Sequence, residues 1–187
     1  MKQQLMKFAA LGKALSLTMM ILAALTATAV AQSKPWTTVG STGIPDESDQ
    51  VIYTGNIVYL DGDSAVVRYN VVAVDGLFGA GPVATFPRMT VTFRDNGDNN
   101  HVVVRLRRAQ INGTTVTTLL TLDSNDYASS GSFQTRTRTA CGAAAFAYDF
   151  DNYAYFIEVT MSRTGLPVTP GVAEIKLDRT ANCLAGQ

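Results

Sequence analysis

The chain has 187 residues, 47% of them hydrophobic, with 15 lysines and arginines against 15 aspartates and glutamates. Lys2, Lys7 and Lys13 all stand in the first segment, so beyond residue 31 the balance is 12 basic against 15 acidic, a net charge of about −3. That acidic balance, with no block of lysine or arginine, excludes a non-specific nucleic-acid binder, which needs clustered positive charge to displace counterions.

Residues 1–31 read as a signal peptide. A lysine-bearing start leads into the uncharged apolar run Leu15 to Val30, and Ala29-Val30-Ala31 is a small-x-small cleavage site. Cleavage after Ala31 would leave no membrane span. The expected address is outside the cytoplasm, either periplasmic or secreted to the extracellular space. Residues 32–50, rich in Ser, Thr, Gly and Pro without an apolar period, read as a flexible N-terminal arm carrying Trp36, the sole tryptophan. Residues 51–187 are expected to form one domain with one core.

From Val51 the chain is a succession of strand signals. Val51–Tyr53 and Ile57–Leu60 are interrupted by Gly55, which predicts one strand with a bend. Asp61-Gly62 marks a tight turn. Ala65, Val67, Tyr69, Val71 and Ala73 then alternate with a mixed set that includes Arg68. Residues 75–88 combine glycine and proline breakers with Leu77, Phe78 and Phe86. A loop of this length and content would either cap the sandwich or present apolar side chains to a partner.

Met89, Val91 and Phe93 give the next core face, and the turn Asp95–Asn100 leads to Val102, Val104 and Leu106. Asn112-Gly113 marks a hairpin. A two-residue loop there would set Val104 against Thr121, whereas a shift of one residue pairs Val104 with Leu122 and Leu106 with Leu120. The apolar match predicts the shifted register, produced by a three-residue loop with Gly113 in a left-handed bulge. Ser132–Ala140 is a polar strand carrying Arg136 and Arg138, suited to a sheet edge. Tyr153–Ser162 is the strongest signal in the chain, with Tyr153, Tyr155, Ile157, Val159 and Met161 on one side, and it predicts a central strand. Ala173, Ile175 and Leu177 form a last alternating strand. Cys141 and Cys183, the two cysteines of an exported chain, are expected to form a disulfide that tethers the C-terminal tail.

These elements predict an all-β fold, an antiparallel two-sheet β-sandwich of about eight strands, in jelly-roll-like or immunoglobulin-like order. The sequence points away from an enzyme. His101 is the only histidine, beginning a strand without a marked nucleophile, and G-x-S-x-G, H-E-x-x-H and C-x-x-C are absent. Asp149, Asp151 and Glu158 lie near the expected central strand, where two carboxylates about 5 to 10 Å apart would suit glycoside hydrolysis, although Asp149 and Asp151 stand at a strand entry where turn carboxylates are expected. Asp61–Asp63, Asp95–Asn100 and Asp149–Asn152 could offer oxygens to Ca2+, but none has the EF-hand spacing and all suit turns, so no cofactor is expected.

Two functions remain. The first is a structural or interaction module at the cell exterior that associates with copies of itself through Trp36, Leu77, Phe78 and Phe86. The alternative is a module binding glycans or anionic ligands. Arg105 with Arg107, and Arg136 with Arg138, each project at i and i+2, and four guanidinium groups on adjacent strands would suit sulfate or carboxylate groups of a cell-surface glycan.

Overall fold

A computed structural model describes residues 35–73, 86–95, 99–165, 169–180 and 183. The expected signal peptide and two of the expected interaction residues, Leu77 and Phe78, lie outside that set. Eleven strands form among the described residues: β1 Trp36–Val39, β2 Ile44–Pro45, β3 Val51–Thr54, β4 Ile57–Leu60, β5 Ser64–Val71, β6 Phe86–Asp95, β7 Asn100–Gln110, β8 Val116–Asp123, β9 Ser130–Thr139, β10 Tyr153–Arg163 and β11 Gly171–Thr180. They build two antiparallel sheets. The first runs β3-β4-β11-β6-β9, with β1 also paired to β11; the second runs β2-β5-β10-β7-β8.

The long strand expected at the centre is there. β10 lies between β5 and β7, and its Tyr155, Ile157, Val159 and Met161 are all at most 2% exposed. Opposite them stand Val71, Tyr69, Val67 and Ala65 on one side, and Leu106, Val104 and Val102 on the other. The first sheet answers with Val58, Leu60, Met89, Val91, Phe93, Ile175 and Leu177, and both sets belong to one buried cluster. The alternation visible in the sequence is thus the alternation between core and solvent that a two-sheet sandwich imposes.

Three local readings need correction. Gly55 does not bend one strand; it separates two, because Gly55-Asn56 is a two-residue hairpin turn that sets Thr54 opposite Ile57. Gly55 has φ +60°, the left-handed conformation that glycine supplies at the first position of such a turn. In the β7–β8 hairpin the predicted pairs Val104–Leu122 and Leu106–Leu120 form, but through a different device. Near the loop the strands keep the two-residue-loop register, with Ala109 opposite Val116 and Arg107 opposite Thr118. An extra residue in β8 then shifts the register between Arg107 and Leu106. The left-handed residue of the loop is Asn112, φ 63°, and not Gly113.

The third correction concerns the arm. Residues 36–45 form β1, a 3-10 turn at Gly40–Thr42, and β2, so each sheet gains a strand that the strand count from sequence omitted. Trp36 pairs opposite Leu177 and is only 8% exposed. It packs within the core, because a single large indole removes more apolar surface from water there than anywhere along an exposed arm.

Cys141 and Cys183 form the expected disulfide across a separation of 42 residues. It joins the end of β9 to the chain beyond β11. Replacing both cysteines with serine is expected to lower the unfolding free energy by about 3 to 4 kcal/mol in the chain-entropy treatment. Denaturant titration of the oxidised protein and the double variant would measure it, and an unchanged midpoint would contradict a structural role.

Candidate ligand-binding face

The outward side of the second sheet carries a cluster of charged side chains that share one face. The register puts Arg105 of β7 opposite Glu158 of β10, with Arg68 of β5 opposite Glu158 on its other flank. Arg107 lies one outward position further along β7, opposite Phe156. Glu158 is 7% exposed, unusually buried for a glutamate. Its Oε2 accepts from Arg107 Nη1 at 2.7 Å and from Arg68 Nη2 at 3.5 Å, while its Oε1 stands 3.8 Å from Arg105 Nη1. Three guanidinium groups thus converge on one carboxylate.

Each of the three has a further partner. Arg68 Nη1 also reaches Asp46, beside β2. Arg107 lies over the Phe156 ring at 5.8 Å, a cation–π contact. Arg105 is the least committed: its Nη1 donates to Thr160 Oγ1 at 3.2 Å, its side chain is one-third exposed, and a guanidinium has five N–H donors to place. The set of Arg68, Arg105, Arg107, Glu158 and Asp46 carries three positive charges against two negative. The sign is opposite to that of the chain beyond residue 31.

The four arginines expected as one patch do not meet. β7 belongs to the second sheet and β9 is the far edge of the first. β9 does occupy the edge its polar sequence suggests, but Arg138 pairs opposite Met89 and Arg136 opposite Val91, so both share the phase of core residues at the rim. Arg136 Nε donates to Gln134 Oε1 at 3.0 Å, and its guanidinium covers the Tyr127 ring at 5.2 Å. Arg68 takes the place intended for that second pair. It alternates with Val67 and Tyr69, a signal present in the sequence, but nothing local reveals that β5 lies beside β10.

Other expected site residues are separated or occupied. His101 Nε2 lies 2.7 Å from Asp123 Oδ1, which also accepts the backbone N–H of Asn125. Asp149 sits in the turn before β10, where its Oδ1 and Oδ2 accept from the backbone and side chain of Asn152. Those hydrogen bonds, the side-chain one foremost, hold its pKa below the ordinary carboxylate value. Glu158 is engaged by three arginines and Asp149 by Asn152, an arrangement of ion pair and turn rather than of a glycosidase acid and nucleophile. Asp95 is buried and accepts from Gln134 Nε2 at 2.9 Å. Among the described residues no group of three or more His, Cys, Asp or Glu side chains is placed to hold a metal ion. Phe86, at the start of β6, is partly buried.

The first sheet has its own outward ion pair. Arg88 donates from Nε and Nη2 to the two oxygens of Asp178, each at 2.6 Å, and Lys176 Nζ lies 3.2 Å from the same carboxylate. Burial alone would raise the Asp178 pKa, but the bonds from Arg88 and Lys176 outweigh it and hold the group below its usual value. A depressed folded-state pKa contributes stability that is complete above the unfolded value near 3.9 and is lost as pH falls through the folded value. An Asp178→Asn variant is therefore expected to lose less stability than the parent between about pH 5 and pH 2. Urea unfolding across that range would read the difference, and parallel curves would contradict the pairing.

No family model matches the chain, and no curated protein matches it. Solved structures do match. CsCBM6-3 from Clostridium stercorarium, in complex with cellobiose, is 14% identical with a TM-score of 0.46, over 80% of this chain and 95% of that one. A family 35 carbohydrate-binding module from Clostridium thermocellum is 15% identical with a TM-score of 0.39, covering 77% of this chain and 97% of that one. A family 11 carbohydrate-binding module from the same organism, in complex with a β-1,3-1,4-mixed-linked tetrasaccharide, is 14% identical with a TM-score of 0.40, over 78% and 87%. At these values the likeness carries no argument about a ligand. The fold assignment rests on the two sheets described above.

Proposed function

We propose that the protein is an exported, non-enzymatic module that binds anionic glycans on the outward face of its second sheet. One observation carries the reading: Arg68, Arg105 and Arg107 converge on a single buried carboxylate, leaving guanidinium donors in excess on a partly exposed face. Planar N–H forks match the oxygens of sulfate and carboxylate groups, and charge-assisted bonds to them are about twice as strong as neutral ones. Glu158 holds the forks in place before a ligand arrives, which lowers the cost of ordering them on binding. Self-association, the first of the two functions expected from the sequence, loses one of its expected contact residues, because Trp36 is built into the core.

Calorimetric titration with a sulfated polysaccharide and with its desulfated counterpart tests this reading. Tighter binding of the sulfated form, with the added affinity weakening steadily as salt is raised, is the expected result. Equal binding of both forms, or none of either, would contradict it. Glu158→Gln supplies a sharper outcome. It removes the counter-charge, so affinity for the sulfated chain should rise severalfold while stability falls by about 1 to 2 kcal/mol, less than for a fully buried pair because the arginines are partly wet.

A further inference from the structure

The opposite face of the sandwich carries a second arrangement of a different chemical kind. In the first sheet Gly171 of β11 pairs with Tyr59 of β4 on one side and Arg94 of β6 on the other. Because Gly171 has no side chain, the Tyr59 ring leans across it; a Cβ there would meet Tyr59 Cδ1 at 2.7 Å. Tyr59 thereby reaches Phe133 of β9, edge to face at 6.3 Å between ring centres, across two intervening strands. The Arg94 guanidinium lies 5.0 Å from one ring centre and 5.5 Å from the other. Its Nε and Nη2 are fixed on the Thr169 carbonyl at 3.2 and 2.9 Å, leaving Nη1 for another acceptor.

Beside this platform lie oxygen groups. Two residues along β6 from Arg94, Thr92 pairs with Thr135 of β9, their hydroxyls 2.9 Å apart, and with the exposed Glu174 of β11. The register shift between Val172 and Glu174 sets that glutamate opposite Thr92, about 7 Å along β6 from Arg94. Glu174 has no ion-pair partner among the described residues, and its charge balances that of Arg94.

We propose that the Tyr59–Arg94–Phe133 platform, with Thr92, Thr135 and Glu174 beside it, is a second binding site that takes a neutral pyranose residue of a polysaccharide. A pyranose has an apolar C–H face that packs on aromatic rings and a rim of hydroxyls that both donate and accept. The two positions of β6 that separate Arg94 from Thr92, about 7 Å of strand, set the carboxylate of Glu174 beside the rings rather than over them. The carboxylate accepts from ring hydroxyls, Arg94 Nη1 donates to them, and Glu174 repels the sulfate and carboxylate groups suited to the other sheet. The site rests on side chains that the anionic-glycan reading does not use, and with it the module would engage polysaccharide on both of its faces.

Titration of the full chain with cellohexaose and xylohexaose, followed by calorimetry, tests the proposal separately from the arginine face. Saturable binding of at least one of them is expected. It should weaken about tenfold or more in Tyr59→Ala/Phe133→Ala and severalfold in Glu174→Gln, and stay unchanged in Arg105→Ala. Glu174 is exposed, so its variant tests the site even if the double aromatic variant fails to fold. No heat with either sugar at millimolar concentration would overturn the proposal, as would binding that Glu174→Gln leaves unchanged or that Arg105→Ala removes.

Discussion

Replacing Gly40 with alanine is expected to lower the unfolding free energy by about 3 kcal/mol or more, among the largest effects of any single methyl group in this chain. A Cβ at this position would stand 1.9 Å from the Val172 carbonyl oxygen and 2.8 Å from the Val58 nitrogen, both backbone atoms that cannot turn aside. Relief requires the 3-10 turn to lift from β4 and β11, which would drag Trp36 out of the core. The same lift breaks the bond from the Tyr69 hydroxyl to the Gly40 carbonyl at 2.8 Å. Burial, with a smaller contribution from Tyr53, pushes the Tyr69 pKa well up, so the hydroxyl remains a donor at every ordinary pH. Thermal unfolding should show a fall of roughly 6 to 12 °C in Tm for a domain of this size. A shift under 2 °C, by contrast, would mean that residues 36–45 are the loose arm their composition suggests.

The second large effect concerns binding. Arg105→Ala combined with Arg107→Ala should weaken the affinity for a sulfated polysaccharide by about 100-fold or more, because each lost charge-assisted bond is worth about 1.5 to 3 kcal/mol. The salt dependence of the residual binding should flatten in parallel. Arg107 also neutralises Glu158, so the double variant loses some stability, whereas Arg105→Ala alone separates the two effects: Arg105 stands 3.8 Å from Glu158 against 2.7 Å for Arg107. Undiminished binding by both variants, measured by calorimetry at fixed salt, would remove the second sheet from the account.

The contrast between these positions shows what a one-dimensional pattern can and cannot carry. Ile157, Val159 and Met161 were legible because period-two alternation is a property of neighbouring residues and needs no partner strand to be read. The disulfide followed from two cysteines in a chain expected to be exported. Trp36 and Gly40 were not legible, because their segment is short and polar and acquires its burial from β4 and from β11, the latter about 140 residues away. Composition therefore suggested an arm where pairing makes strands. The candidate sites depend on strand order even more. Arg105 and Arg107 share a face by local spacing alone, but whether Arg136 or Arg68 stands beside them is decided by which sheet each strand joins. Tyr59, Arg94 and Phe133, from β4, β6 and β9, converge only because Gly171 leaves a gap between them. In β8 the apolar pattern predicted the correct pairs, yet the chain absorbs the offset with a mid-strand bulge, a choice that the loop sequence does not reveal.

The most direct test is a residue-resolved titration: backbone amide NMR shifts of the protein beyond residue 31 on addition of a sulfated oligosaccharide. The account predicts shifts concentrated on β5, β7 and β10 at Arg68, Arg105, Arg107 and their outward neighbours, diminishing as salt is raised. Shifts confined to the β9 edge around Arg136 and Arg138, or none at saturating ligand, would contradict it.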